Sequence, residues 1–183
     1  MAITINGNGT VTGLTALPKS AMASGSVLQV IQTYRTSQFS ESVASGNYSA
    51  AVMTAAITPT SSSNKILVLC TVHISTGSGT NGAQARIARD GTAIGIADAD
   101  GSRTRATGAG MGSSAVNRMQ SNVQMTFLDS PSSTSALSYT AHIKPGFSGT
   151  QDVYLNREGG GHSTDGSNVG LSASSLTLME IAA

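Results

Sequence analysis

Between Met119 and Phe127 the chain alternates strictly. Met119, Ser121, Val123, Met125 and Phe127 fall on one side, with Gln120, Asn122, Gln124 and Thr126 on the other. This period of two is a β-strand with one face in a core and one face wetted by uncharged polar groups. The rhythm returns at Leu137, Tyr139, Ala141 and Ile143, set against Ser138, Thr140, His142 and Lys144. No segment offers a helical stripe of any length. A first strand begins at Leu28, Val30 and Tyr34, ahead of a polar stretch over Ser37–Ser49. Ala51–Ile57 is a second, stopped at Pro59. Lys65–Ile74 opens apolar in both parities (Ile66, Leu67, Val68, Leu69), which predicts a central strand covered on both sides. Gln84–Arg89 and Thr92–Ala97 flank Asp90-Gly91, the dipeptide of a type I′ hairpin turn.

Further along, Met119–Leu128, Ala136–Ile143 and Gln151–Asn156 read as strands, and Leu176, Leu178, Met179 and Ile181 close the chain. Three loops separate these runs: Thr76–Gly82, the glycine-rich Asp98–Ala115, and Arg157–Asn168 with Gly159-Gly160-Gly161. Eight or nine short strands punctuated by turn residues predict an all-β fold, an antiparallel β-sandwich of jelly-roll type. The first 25 residues differ, alternating β-branched residues with turn formers around Asn6-Gly7 before Pro18 and Gly25 interrupt. They read as an extended N-terminal docking arm (1–25) preceding the sandwich domain (26–183). Ile3, Ile5, Val11 and Leu14 are its candidate partner-binding residues.

Composition narrows the function. The 183 residues are 39% hydrophobic but only 10% charged and 4% aromatic, with a net charge of +1. Soluble domains carry about a quarter of their residues as charges, so Ser, Thr, Asn and Gly solvate this surface instead. That composition suits a protein packed against copies of itself. A homotrimer is expected, with Ile66, Val68 and Leu178 as contact candidates. Near-neutral charge argues against nucleic-acid binding, which needs clustered Lys and Arg. The basic residues Arg103 and Arg105 sit in the glycine-rich loop with Arg118 just beyond it, and Arg103, Arg105 and Arg157 are candidates for exposed-loop contacts. No run approaches the roughly 20 apolar residues of a membrane span. The N-terminus lacks a signal-peptide pattern, and the single Cys70 lies in an apolar run. Assembly in a cytoplasm, without a disulfide framework, is expected.

Catalytic patterns are missing. His73, His142 and His162 share no ligand spacing, and there is no Gly-x-Ser-x-Gly elbow. Asp98-Ala99-Asp100-Gly101 lacks the remaining ligands of a calcium loop and reads as a turn. Gly108–Gly112 does not lead from a strand into a helix, so it is no phosphate cradle. The sequons at Asn8 and Asn47 count for little without a secretion signal. No enzyme, cofactor or metal site is expected.

Several segments resemble virion proteins of tailed bacteriophages, notably the tail-fibre and surface proteins of phages of cyanobacteria. They are the opening Ile3–Leu14 (ITINGNGTVTGL), Gly25–Gln32 (GSVLQVIQ), Ile57–Val68 (ITPTSSSNKILV), Arg89–Thr92 (RDGT), Phe127–Pro131 (FLDSP) and Val153–Arg157 (VYLNR). Each is a turn plus a strand, and their order along most of the chain carries the resemblance. It implies a trimeric, non-enzymatic protein on the surface of the phage particle, partnered by itself and by a major capsid protein or tail protein. Two roles follow. A capsid decoration (cement) protein would clamp capsid subunits through the arm, whereas a tail-fibre or receptor-binding knob would present the three loops to a host surface. The chain has no long repetitive shaft, which favours decoration. A lectin-like module would want exposed aromatics, and four tyrosines with three phenylalanines supply few.

Overall fold

The computed structural model describes residues 4–5, 7, 11–12, 18–77, 82–110, 120–146, 148–159 and 170–183. Its strands are β1 (Thr4–Ile5), β2 (Val11–Thr12), β3 (Val27–Arg35), β4 (Phe39–Val43), β5 (Met53–Ile57), β6 (Lys65–Thr76), β7 (Ala83–Arg89), β8 (Thr92–Ile94), β9 (Gly108–Gly110), β10 (Ser121–Asp129), β11 (Leu137–Pro145), β12 (Gln151–Leu155) and β13 (Ser174–Ile181). The only helical piece among the described residues is a 3-10 turn at Lys19–Ala21.

All pairings are antiparallel. In the first sheet β6 has β10 on one edge. On its other edge β13 and β12 lie end to end, and they pair onward with β3 and β4. The second sheet runs β5, β11, β7, and then β8 and β9 share the last edge. Treat β8 and β9 as halves of one strand and β4 with β12 as a side extension, and eight strands remain. The first sheet holds the first, eighth, third and sixth; the second holds the second, seventh, fourth and fifth. That interleaving is the jelly roll anticipated from the strand series.

The core lies between the sheets. From β6 come Ile66, Val68, Cys70, Val72 and Ile74, all at most 2% exposed. Met125, Val153, Leu155, Leu176 and Leu178 join them, and Ile87, Tyr139, Ala141 and Ile143 face them from the second sheet. Both alternating runs therefore point as their pattern requires. Asp90 and Gly91 have φ of 48° and 82°, the left-handed pair a type I′ turn needs, and Ile87–Arg89 pairs with Thr92–Ile94 across it.

Four expectations are corrected. The strand after the hairpin stops at Ile94, not Ala97: Gly95 adopts φ 58° and lies so close over Phe127 that an added Cβ would sit 2.9 Å from its ring. The glycine-rich loop contains β9, whose Gly108 and Gly110 press onto β10. A Cβ there would meet Val123 at 2.8 Å and Ser121 at 2.5 Å. The polar stretch 37–49 contains β4, anchored by buried Val43 and half-buried Phe39. Finally, β6 is central but the described residues cover it on one side only: its inner residues are sealed while Leu67 and Leu69 on the outer face are half-buried.

Two polar clusters tie the ends together. Tyr139 of β11 donates through its Oη to Asp129 of β10 at 2.7 Å, and Arg89 pairs with the same carboxylate. Glu180 of β13 is fully buried and accepts from the Thr60 N–H (2.6 Å), Thr60 Oγ1 (2.7 Å), Asn64 Nδ2 (2.7 Å) and Gln29 Nε2 (2.7 Å). Burial raises its pKa, but the bonds from Asn64, Thr60 and Gln29 outweigh that and hold the carboxyl below its ordinary value.

Candidate functional site

The arm begins as a hairpin of its own, with Thr4 opposite Thr12 and Ile5 opposite Val11. Of the residues between the two strands only Gly7 is described, within a turn; Asn6 lies outside the described residues. Ile3 and Leu14 lie outside the described residues, and of Ile5 and Val11 only the backbone pairing is described. The segment that follows is stitched to the end of the chain. The Gly25 N–H donates to the Ala182 carbonyl at 2.8 Å, and the Ala182 N–H returns to the Ser26 carbonyl at 2.9 Å.

The loop stems gather at one end of the sandwich. The Gly77 N–H donates to the Asp152 carbonyl at 2.9 Å and the Gly146 N–H to the Gly82 carbonyl at 2.8 Å. Ser75 Oγ donates to the Arg157 carbonyl at 2.8 Å, and Gly159 crosses Thr76 so tightly that a Cβ would lie 2.0 Å from its carbonyl oxygen. Gln120 Nε2 reaches the Gly170 carbonyl at 2.7 Å. The loops anchored at 77/82, 110/120 and 159/170 therefore leave from neighbouring points. The residues within those loops lie outside the described set.

The predicted loop arginines are not brought together. Arg103 is exposed and pairs with Asp100, while Arg105 Nε donates to the Ala97 carbonyl at 2.6 Å. Both belong to the 95–107 segment, which folds over the outer face of the second sheet. There Tyr48 Oη donates to the Arg105 carbonyl (3.1 Å) and Lys144 Nζ to Thr104 Oγ1 (2.9 Å). Arg157 stacks on Tyr154, 4.8 Å from the ring centre, on the first sheet's outer side. The turn expected at Asp98–Gly101 lies two residues further on, where the Arg103 N–H donates to the Asp100 carbonyl at 3.1 Å, and no group of three metal-capable side chains forms among the described residues.

The two outer faces differ sharply. On the second sheet, Arg86 lies 4.1 Å from the Tyr48 ring centre and Lys144 lies 5.8 Å from it. Lys144 is buried, and that burial lowers its pKa; burial raises that of Tyr48 against the opposing pull of Arg86. This face is cationic and covered by loops. Among the described residues nothing lies over the first sheet's outer face. Register fixes its residues in rows: Leu128, Leu67, Met179 and Val30 run straight across four strands, followed by Thr126, Leu69, Thr177 and Gln32, then Gln124, Thr71, Ser175 and Tyr34.

This corrects the trimer-contact candidates. Ile66, Val68 and Leu178 are completely buried in the chain's own core and have no surface to offer another subunit. Their neighbours one residue along, Leu67, Leu69 and Met179, face outward. A run apolar in both parities does not say which parity the chain keeps for itself. The signal that could have separated them is that the outward set turns polar at Thr71 and His73, whereas the inward set stays apolar to Ile74. Beside this face, an open groove of about 400 Å3 runs between β3 and β5, lined by Tyr34, Arg35 and Ala51–Thr54. It is bridged where Arg35 Nη1 donates to the Val52 carbonyl at 2.7 Å.

No protein-family model matches the chain, and no curated protein matches it. Two solved structures similar to it are particles of infectious bursal disease virus. One is the crystal structure of the VP2 subviral particle, at 16% identity and a TM-score of 0.39. The other is the 2.6 Å structure of virus-derived T=1 particles, at 16% identity and a TM-score of 0.42. Each match covers 85% of this chain and little more than a third of the viral one (37% and 36%).

Proposed function

We propose that the chain is a non-enzymatic virion structural protein of a tailed phage: a capsid decoration protein that assembles as a homotrimer and clamps capsid subunits through its N-terminal arm. The observation that carries this reading is the division of labour along the chain. A jelly roll is closed by its own Gly25–Ala182 seam, and ahead of it stands a short strand ladder with β-branched residues ready to extend a neighbour's sheet. A surface poor in charge and rich in Ser and Thr supports a life spent against other copies, because few ions need desolvating there. Several arms per trimer would act together, multiplying a weak single contact. The convergence of three loop stems at one end favours a second reading, a tail-fibre knob whose loops meet the host surface.

Counting copies separates the two. Quantitative mass spectrometry of purified particles should find hundreds of copies per virion, whereas a few tens or fewer would assign the chain to the tail. Deleting residues 1–17 should leave a folded sandwich that no longer attaches to particles lacking the protein. Attachment by the truncated protein would make the sandwich, not the arm, the anchor.

A further inference from the structure

The outer face of the first sheet is apolar at one end and free of ionic side chains over most of its length. Val30 is 52% exposed, Leu128 46% and Val27 50%, and Leu67 and Met179 lie half-buried between them. Lys65 stands at one end of this face, with Asp152 and Arg157 at the other. Between them the described residues place only His73 and the phenol of Tyr34 as titratable groups.

We infer that this face is the surface through which copies of the chain meet, each turning it toward the same face of its neighbours, which deepens, and rests on, the self-association in the proposed function. Three observations point to another copy. First, β6 is built for burial on two sides, and the described residues supply one cover: its inner residues are at most 2% exposed, while Leu67 and Leu69 remain half-open. Second, a partner selected by charge would need charges to meet, and this face has none along its centre. Set against itself, it opposes no like charges and desolvates no ion. The other outer face cannot do this, because two copies would bring Arg86 and Lys144 against Arg86 and Lys144. Third, the size suffices. A nine-residue strand is about 30 Å long and four strands span about 19 Å, so each copy offers about 570 Å2 of sheet. A pair then exceeds the roughly 1,000 Å2 that a specific interface needs.

The test is molar mass by light scattering on size exclusion at high micromolar concentration. Wild type should run at two or more times 18.4 kDa. Val30→Glu combined with Leu128→Glu should run as the monomer with an unchanged β circular-dichroism spectrum. Leu171→Glu, at a 66% exposed leucine off the row, should keep the wild-type mass. Should the double variant misfold, Leu67→Thr with Met179→Thr keeps β-forming residues and should raise the dissociation constant at least tenfold. A folded double variant of unchanged mass would overturn this face as the contact while leaving the trimer standing. A wild-type monomer would overturn both. A wild-type dimer that the double variant splits would uphold the face and remove the trimer from the proposed function.

Discussion

The buried Glu180 carboxylate gives the sharpest prediction about stability. Among the described residues no cation pairs with it, and four donors hold it instead: three converge on Oε1 and Gln29 Nε2 reaches Oε2. Glu180→Ala removes every acceptor. Thr60 is exposed and its donors can turn to water, so the loss falls on the Asn64 and Gln29 bonds. Hydrogen bonds to an ionised group are each worth about 1.5–3 kcal/mol, which sets the cost near 4 kcal/mol. A domain of this size loses about 2–4 °C per kcal/mol, so the melting temperature should fall by roughly 12 °C. Glu180→Gln keeps an oxygen for Thr60 and Asn64 but sets an amide NH2 against that of Gln29. Flipping Gln29 sacrifices its bond to the Thr58 carbonyl, so the cost should be about 1–2 kcal/mol. The pH dependence follows from the lowered pKa. A carboxyl that holds its proton more weakly when folded contributes its full stability above the unfolded value of about 4.3 and loses it as pH falls through the folded value. Urea denaturation of wild type and both variants at neutral and strongly acidic pH measures this. Wild type should lose more stability on acidification than Glu180→Gln. Equal acid sensitivity in the two, or a Glu180→Ala cost below about 1 kcal/mol, would refute the reasoning.

Two further outcomes are expected. Cys70 is 2% exposed and burial pushes its thiol up to about 12, so an aromatic disulfide reagent should modify it only as fast as the protein unfolds, and at once in denaturant; prompt labelling in native buffer contradicts this. Gly159→Ala forces a Cβ onto the Thr76 carbonyl and should cost about 3 kcal/mol, read as a lower urea midpoint; an unchanged midpoint would mean that the crossing relaxes freely.

Much of the sandwich could be read from the residues because its inner strands obey a period of two. Val123, Met125, Tyr139, Ala141 and Ile143 lie where that period puts them, and Asp90-Gly91 makes the turn that its chemistry dictates. What stayed hidden had a physical cause. In β4 only Phe39 and Val43 are apolar, too few to stand out among serines. β9 is Gly-Ala-Gly because close approach to β10, not propensity, selected its residues. In β3 the apolar Val30 and Tyr34 face outward, while the inward positions include Gln29 and Thr33, which bond to Thr58 and Thr54 across the sandwich edge. Glu180 is a lone charge in an apolar closing strand, and that oddity was its only signal. The interaction surface depended on parity along β6, which local sequence leaves open.

The last strand is also an inner one. β13 lies between β3 and β6, pairing with residues 104 to 154 positions earlier in the chain. A chain still emerging from the ribosome therefore carries a sheet with a missing plank, its two flanking strands presenting bare backbone edges to one another and to other nascent chains. Closure must wait for residues 174–181, so folding is a late, long-range event and slow by the measure of sequence separation. Loss of even this short segment would leave the slot open to a strand from another molecule, and aggregation would be the outcome.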